Sequence, residues 1–501
     1  MADFLLGRAF SYNEALSPTI TPESTWRLEP YVQDRIKVSQ RLTVGLGLRY
    51  SLYPSVILSN DQNSNFDPKR FDFSKAPQVA PATGRFVPGT YDPNTYYMNG
   101  IFVAGKDSPY GRRIVATRYT NFGPRIDIAW DPTGRGKTAI RAATGAFFDA
   151  PVGNYYTQTK PPFNLVPTIF NTILSNPGGG ALTPLPLGFS PTSLDGKITT
   201  VWTWNFGIEH EILPRTKLGV SYVANHGYHE PQRPDINQPR NLSADVAQGR
   251  INVNAVRPYP GFASITVWQF SSSSKYNSLQ VLLDRQFANG FQVRAAYTFS
   301  KTTTAGCDSI YCSPMDSYNY RLTRGLAGND VPHIFVVSYI WEIPAFRSSR
   351  GVAGAVLGGW SLSGITAVQA GQPLNVTISP DRSGKAASGQ HPNITGKVSQ
   401  TKTVDSWFDT SVYSLPDFGT YGNLGLNAAG RAPGIFNFDV GLHKQFKLAE
   451  ALRLEFRSEF FNVFNHTQFS AVGTTFGSAA FGRVTSARDA RIGQVAAKLI
   501  W

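Results

Sequence analysis

The sequence contains little cysteine, methionine or histidine, and it has no long uncharged apolar run. Its 501 residues include 2 Cys, 3 Met and 7 His. A transmembrane helix requires about 20 consecutive apolar residues, and the nearest stretch, GVAGAVLGGW, is short and rich in glycine. Helical membrane spanning is therefore excluded. The N-terminal segment also lacks a basic start, an apolar core and a small-residue cleavage site, so we expect no export signal in this chain.

The two cysteines lie close together in the segment CDSIYC, at Cys307 and Cys312. No second pair of metal ligands accompanies them. A local disulfide within a loop, formed in an oxidising compartment, is the simpler interpretation.

Motifs of enzymes and metal sites are also missing. In DPTGRGKT the first glycine of a phosphate-binding loop would fall at the position of Asp131. The segment HGYHE brings His226, His229 and Glu230 together, but these side chains could bind a metal only if further ligands converged on them. No G-x-S-x-G elbow occurs. We therefore predict no catalytic residues, no metal site, no cofactor and no enzymatic activity.

Positive charge is in excess but is not concentrated anywhere. The formal net charge is +14, yet the Lys and Arg residues are scattered along the chain, often one to a predicted strand. A dispersed excess forms no focused phosphate-binding stripe. We therefore predict no nucleic-acid partner.

Aromatic side chains and turn formers are abundant, and this composition favours strands and loops over helices. Alternation with a period of two begins at RLTVGLGLRYSLY, where one face holds Leu42, Val44, Leu46, Leu48, Tyr50 and Leu52. The opposite face holds Thr43, Gly45, Gly47, Arg49 and Ser51. A long strand with one apolar and one polar face suits a wall between lipid and water.

This alternation recurs in hairpins joined by short turns, with arms longer than the strands of soluble proteins. Asn289-Gly290 in LQVLLDRQFANGFQVRAAYTF is one such tight turn. Long segments without periodicity separate the hairpins at 54–121, 149–199, 229–275, 302–330 and 371–432. Short turns at one rim and long loops at the other are typical of outer-membrane barrels. The sequence therefore predicts an all-β, antiparallel transmembrane β-barrel of about thirteen strands with long extracellular loops.

One segment does not fit this alternation of short and long connections. ASITVWQF at 263–270 would be a lone extra strand. We expect it to be half of a ribbon above the membrane, or to have a partner that the pattern does not reveal.

Aromatic residues fall at the ends of the predicted strands, where two interfacial belts would lie. The belt residues are Trp130, Trp202, Trp204, Phe287, Phe291, Trp341 and Phe446. The last strand continues this pattern, because Val495, Ala497, Leu499 and the terminal Trp501 share one apolar face. We interpret these four residues as the C-terminal signal that barrels present to their assembly machinery.

A ladder of alternating charges runs along LRLEFRSEF, at Arg453, Glu455, Arg457 and Glu459. A basic group facing lipid at mid-depth would cost about 2–4 kcal/mol, so this face must line the lumen. It is either a salt-bridged wall or a contact surface for a plug domain or a passing solute.

Several longer phrases resemble one known family. YVQDRIKVSQRLTVGLGLRY, NFGPRIDIAWDPTGRGKTAIRAATGAFFD, NGFQVRAAYTFSK, GGWSLSGITAVQAGQPLNV and FRSEFFNVFNHTQF are similar to the C-terminal barrel of Oar-like TonB-dependent transporters. The similarity covers nearly the whole chain. It implies a 22-stranded outer-membrane barrel, with a plug domain and a TonB-type inner-membrane energy complex as partners, together with outer-membrane lipid.

The predicted strand number is lower than the family's, so we expect this chain to be the C-terminal part of a longer product. In that interpretation 1–25 is a lead-in from a truncated barrel region, and 26–501 holds the strands and loops. The expected function is uptake of a large or scarce solute, such as an oligosaccharide or a peptide. A smaller closed barrel, acting as a passive porin or a structural surface protein, is the alternative.

Overall fold

A single antiparallel sheet of 14 strands runs through the molecule, which is represented by a computed structural model. The structure describes residues 5–13, 22–151, 153–157, 161–163, 168–179, 181–182, 185–306, 313–346, 351–387 and 389–501. Thirteen of the strands follow one another in chain order, and each pairs with the next. They are β1 (Tyr31–Lys37), β2 (Leu42–Tyr50), β3 (Phe122–Trp130), β4 (Thr138–Phe148), β5 (Thr200–Leu213), β6 (Thr216–Gln232), β7 (Gln269–Ala288), β8 (Phe291–Ala305), β9 (His333–Glu342), β10 (Trp360–Gln369), β11 (Ile435–Lys447), β12 (Arg453–Phe461) and β13 (Ile492–Ile500). The remaining strand, Arg324–Leu326, pairs with the end of β8.

The sheet is one layer thick and has no interior of its own. Its register places apolar residues opposite each other on one side, as where Leu46 pairs with Ile126 and Phe206 pairs with Tyr222. These side chains remain exposed, Leu46 at 45% and Phe206 at 49%. We call this side the outer face and the opposite side the inner face. Such a wall is stable only where the outer face meets an apolar medium.

The connections between strands alternate between two rims. The short-connection rim carries the turns at 38–41, 131–137, 214–215, 289–290, 343–359 and 448–452. Asn289 and Gly290 both have positive φ, at 52° and 73°, as a two-residue hairpin turn requires. The long-connection rim carries 51–121, 149–199, 233–268, 306–332, 370–434 and 462–491. The last of these has no counterpart in the alternation of the sequence, and β6 and β7 extend beyond the sequence-based bounds to 17 and 20 residues.

The long connections and the segment before β1 contain short elements that pair with one another. The short strands are Arg8–Asn13, Thr168–Ile173, Ala181–Leu182, Glu23–Ser24, Ile57–Leu58, Ser64–Phe66, Ile101–Val103, Leu187–Phe189, Phe262–Ile265, Asn393–Ile394, Tyr413–Ser414, Phe469–Val472 and Val484–Ala487. The 3-10 turns are Pro68–Arg70, Phe73–Lys75, Tyr96–Met98, Gly153–Tyr155, Pro177–Gly179, Val253–Val256 and Tyr320–Thr323. Two α-helices are bounded within the described residues, α1 (Ala244–Ala247) in a long connection and α2 (Gly351–Leu357) at the short-connection rim.

The segment 263–270 is not a lone membrane strand. Phe262–Ile265 pairs in parallel with Leu187–Phe189, outside the main sheet. Gln269 and Phe270 already belong to β7. The partner lies more than seventy residues away in a segment without periodicity, so the alternation of the sequence could not reveal it.

The apolar core of the molecule lies with the long connections rather than in the sheet. Three buried clusters occur there. One is formed by Val56, Phe102, Ala104, Ile114, Val115, Tyr155, Tyr156, Trp268 and Phe270, a second by Phe66, Phe71, Ile101, Phe189, Phe262, Ile265 and Val267, and a third by Leu374, Val376, Trp407, Phe408, Tyr413, Leu424 and Ala429. The long connections are therefore folded structures that pack on one another.

The two edges of the sheet are open. Among the described residues, β1 pairs only with β2, and β13 pairs only with β12. Each of the thirteen strands is antiparallel to the next, so the first and the last, β1 and β13, run in the same direction. They cannot pair with each other in the antiparallel manner of the rest of the sheet.

Replacing a core ring of the long connections tests whether they are folded independently of the wall. Phe102 is fully buried, and Phe102→Ala should remove about 3–5 kcal/mol of local stability. Limited proteolysis of the folded protein should then cut faster within 51–121, while the strands of the wall remain as resistant as in the unaltered protein. The control, Phe73→Ala, changes a ring that is 66% exposed in the same connection. Equal cleavage rates in the two variants would contradict the assignment.

Candidate functional site

Opposite charges face one another across the inner face of the wall. Arg141 on β4 lies 2.8 Å from Glu209 on β5, measured from Nη1 to Oε1. Lys217 on β6 is directly opposite Asp284 on β7, and Asp284 is in turn opposite Arg294 on β8. Cross-strand pairs of this kind stabilise a sheet while leaving its surface hydrated. The inner face is thus a charged wall on which residues of opposite sign lie across from one another.

A groove of about 590 Å³ crosses the inner face among these charges. It exists partly because Gly207 and Gly219 have no side chains there. A Cβ added at Gly207 would approach the Cβ of Ser221 to 3.1 Å. The side chains of Arg141, Glu209 and Asp284 border the groove, which gives it both donors and acceptors.

The predicted charge ladder lies on the same inner face, along β12. Glu455 is opposite Lys498 and Arg457 is opposite Ala496, while β11 contributes Gln445 and His443 on the other side. Glu455 forms an ion pair with Arg457, and Glu459 accepts a hydrogen bond from Gln494. Arg453, at the short-connection rim, is opposite Ile500. The structure thus places the four ladder residues on one face, with Glu455, Arg457 and Glu459 in polar contacts along it.

The inner face also carries an apolar patch. Val336 and Ile340 on β9 and Ile365 on β10 point inward by their register, beside Ser338 and Ser363. Their exposed fractions are 36%, 41% and 51%. An exposed apolar patch that is surrounded by polar residues is typical of a site that contacts another folded element.

The predicted belt residues lie near strand ends in two groups, and all of them except Phe287 are on the outer face by register. A register shift between Arg285 and Ala288 interrupts the alternation at Phe287. Trp202 and Trp204 are at the long-connection end of β5, opposite His226 and Ala224. The other group, near the short-connection rim, consists of Trp130, Phe287, Phe291, Trp341 and Phe446. Phe291 is directly opposite Trp341 in the register of β8 and β9.

The predicted assembly signal lies on the open edge strand. Val495, Ala497 and Leu499 are opposite Ser458, Phe456 and Leu454, so all three are on the outer face. Trp501 follows the end of β13 at the short-connection rim and is 85% exposed. The whole edge is free to contact another surface.

Two further sequence-based predictions concern the cysteine pair of CDSIYC and the histidine and glutamate side chains of HGYHE. Cys307 and Cys312 lie outside the described residues. His226 and Glu230 belong to β6, and Glu230 accepts a hydrogen bond from Ser274 at 2.6 Å. Within the described ranges, no three His, Cys, Asp or Glu side chains cluster closely enough to hold a metal ion. Each helix in the described part of the chain is too short or too polar to cross a membrane.

Three long connections are joined by buried polar contacts. The ammonium of Lys385, which is 2% exposed, lies 2.6 Å from Oδ2 of Asp316. The hydroxyl of Tyr421 also donates to Asp316, at 3.3 Å, and burial together with Asp316 raises the pKa of Tyr421. Tyr318 donates to the carbonyl of Gln238 at 2.9 Å, and burial raises the pKa of Tyr318 to about 12. These contacts connect 233–268, 306–332 and 370–434 into one body.

A polar depression of about 770 Å³ lies within the connection 51–121. Tyr91 and Tyr96 border it with ring centroids 5.7 Å apart, and Arg70 and Asp107 form an ion pair of 2.9 Å there. The carboxylate of Asp92 accepts hydrogen bonds from the backbone of Asn94 and the hydroxyl of Thr95, which lower its pKa. The polar groups are therefore held in place before any ligand arrives.

A family model described as an outer membrane beta barrel domain matches residues 1–494. The chain belongs to this family. Its place is therefore the outer membrane.

Solved structures similar to this barrel domain include three outer-membrane proteins. They are the outer membrane transporter YddB from Escherichia coli (10% identity, TM-score 0.48, 95% of this chain and 45% of that chain), the ferripyoverdine receptor of Pseudomonas aeruginosa (11%, 0.43, 95% and 39%) and the copper transporter OprC (10%, 0.41, 95% and 48%). This barrel domain spans about two-fifths to one-half of the length of these structures. No curated protein matches the sequence.

The buried contact between Lys385 and Asp316, and the turn that presents Lys385, were not identified by the sequence-based analysis. The Lys385–Asp316 pair joins residues far apart in the chain, and no local pattern indicates such a contact. The turn that presents Lys385 does have a signal, because Asp381 in DRSGKA accepts from the backbone of Ser383, Gly384 and Ala386. DPTGRG is built in the same way around Asp131. Turn chemistry could therefore have located the loop but not its partner.

Removing the buried ammonium tests whether the long connections of the barrel domain form one body. Lys385→Met leaves the carboxylate of Asp316 buried without its cation, which should cost about 3–5 kcal/mol locally. Hydrogen exchange should then accelerate in both 306–332 and 370–434. Lys397→Met, at an exposed position in the same connection, serves as the control. If exchange accelerates only next to position 385, the two connections are not coupled through this pair.

Proposed function

We propose that this chain is the barrel portion of an Oar-like TonB-dependent transporter that takes up a large or scarce solute across the outer membrane. The family match and the two-faced wall support an outer-membrane role. The single observation that carries the transport proposal is the inner face, where paired charges and an apolar patch line one continuous surface. A plug domain and an inner-membrane energy complex would act on that surface from other parts of the transporter.

The parity of the sheet supports the larger barrel. An antiparallel barrel needs an even number of strands, whereas the continuous path has thirteen. In an all-antiparallel closed barrel, an odd number of further strands would stand between β13 and β1. A barrel of 22 strands requires nine more, which satisfies this condition.

The apolar patch on the inner face favours a plugged barrel over a passive porin. A water-filled pore would leave Val336, Ile340 and Ile365 in contact with water, which is unfavourable by about 25 cal/mol for each Å² of apolar surface. A folded plug would cover that patch and could form hydrogen bonds with the charges around it. The wall residues Arg457 and Glu455 would then be contacts for the plug in addition to stabilising the strand.

Conductance separates the two functions. The complete transporter reconstituted in planar bilayers should show little steady current, because the plug fills the lumen. Deletion of the plug should open a large and steady conductance. A steady conductance of the complete protein would favour the porin, and in that case the inner face serves as a hydrated pore wall.

The depression in 51–121 is the place where we propose that the solute is captured. In an outer-membrane barrel the long connections face the cell exterior. The rings of Tyr91 and Tyr96 can stack on the apolar faces of sugars or on peptide side chains, and the neighbouring carboxylates and amides can bind hydroxyl or amide groups. Because the cations there, Arg70 and Lys75, are already paired with Asp107 and Asp72, a neutral oligosaccharide or peptide fits better than a highly charged anion.

Titration of the protein with a neutral glucan hexasaccharide and with a neutral hexapeptide tests this site. Tyr91→Ala should weaken binding of the preferred probe about tenfold, the equivalent of about 1.4 kcal/mol for one lost stacking contact. Tyr91→Phe keeps the ring and should bind nearly as well. Tyr119→Ala, at an exposed ring outside the depression, should bind as the wild type does. Binding that is unaffected by Tyr91→Ala would remove the depression as the capture site.

A further inference from the structure

The connection 343–359 differs from the other turns of the short-connection rim because it contains a helix. Helix α2 (Gly351–Leu357) ends at Gly358 and Gly359, after which β10 begins at Trp360. Gly359 has φ of 73°, a conformation that lets the chain leave the helix and enter the strand directly. The end of the helix is thereby held at the base of β10.

Lys444 of β11 holds the carbonyl end of this helix. Its ammonium donates hydrogen bonds to the carbonyl oxygens of Ala355, Val356 and Gly358, at 2.5, 2.8 and 2.6 Å. An ammonium has three donors, so all of its hydrogen-bonding capacity is used. The indole of Trp360 donates a further bond to Val356 at 3.0 Å.

This contact lies on the outer face of the barrel wall. Lys444 is opposite Trp360 on one side and Phe456 on the other, in the same row as Leu442 and Phe446. The side chain is only 4% exposed, and its ammonium lies 5.3 Å from the ring centroid of Trp360 and 4.7 Å from that of Phe446. The helix therefore covers a cation that would otherwise face lipid.

The far side of the helix is apolar and exposed. Val352, Val356 and Leu357 are 80%, 51% and 49% exposed. No charged residue occurs from Gly351 to Trp360. This surface continues the outer apolar face of β10 and β11, at the level of the aromatic residues Trp341 and Phe446.

We propose that α2 is an interfacial helix that lies in the periplasmic leaflet of the outer membrane, with Lys444 as its anchor. The short-connection rim of such barrels is the periplasmic one, and phospholipid is the apolar medium that the adjoining outer face already contacts. Val352, Val356 and Leu357 enter the boundary between headgroups and acyl chains, as the apolar face of an interfacial helix does. The occupant of this surface is thus phospholipid, and the proposal is independent of which solute is transported.

A spin label at the helix tests the proposal in the complete protein. Val352→Cys is introduced after Cys307→Ser and Cys312→Ser, and the protein is reconstituted in vesicles of phosphatidylethanolamine and phosphatidylglycerol. The nitroxide should collide readily with oxygen, which dissolves in lipid, and little with a water-soluble nickel chelate. We call the difference between its collision rates with oxygen and with the nickel chelate the contrast. In the Lys444→Met variant the label should lose most of this contrast and become more mobile.

Lys447→Met is the matched control, because Lys447 lies on the same strand but points to the inner face opposite Arg453. Its label should keep the wild-type contrast. Heat-modifiable mobility on gels verifies that each variant has folded as a barrel. A label that collides with nickel in the wild-type background would place the helix in the periplasm and overturn the proposal. Retained contrast in Lys444→Met would show that Lys444 is not the anchor.

Discussion

A wall one strand thick has no interior, and this constraint determines most of the structure. Each backbone N–H and C=O must find its partner in a neighbouring strand, because neither lipid nor a core behind the sheet can supply one. Every strand must also present one apolar and one polar face. At the open edges formed by β1 and β13 the first condition is unmet among the described residues, so these edges offer unpaired backbone groups to a further strand.

The same constraint explains which parts were predictable from sequence. Alternation and tight turns are local, so the sheet and the hairpin at Asn289-Gly290 follow from the residues themselves, whereas the bulge before that turn, which interrupts the alternation at Phe287, does not. The packing of the long connections is not local. The side chain of Asn65 donates to the carbonyls of Ile114 and Thr192, which lie in different connections. Neither such contacts nor the connection 462–491 has a periodic signal, and the charge ladder indicated a face without indicating what meets it.

Large apolar residues are exposed in the wall but buried in the long connections. In the wall, large apolar residues such as Leu46 and Phe206 are exposed, as an apolar medium around the outer face would allow. In the long connections, residues such as Phe102, Trp268 and Phe408 are buried because water surrounds that layer. The clusters formed there fix the loops that border the depression at Tyr91 and Tyr96. A binding surface held in this way loses less conformational entropy when a ligand arrives than flexible loops would.

The charges of two buried lysines, one in the long connections and one on the outer face of the wall, are stabilised in different ways. Lys385, within the folded connections, is neutralised by the carboxylate of Asp316 and flanked by tyrosine rings. Lys444, on the outer face, contacts only carbonyl oxygens and aromatic rings. A carboxylate at that position would also have to be removed from water. The free energy needed to remove both ions from water can exceed the free energy of their attraction. The last carbonyls of a helix offer partial negative charge without a second ion. An unshielded cation at the lipid face would cost about 2–4 kcal/mol at mid-depth and less near the interface, so a short helix at the rim is sufficient to cover it.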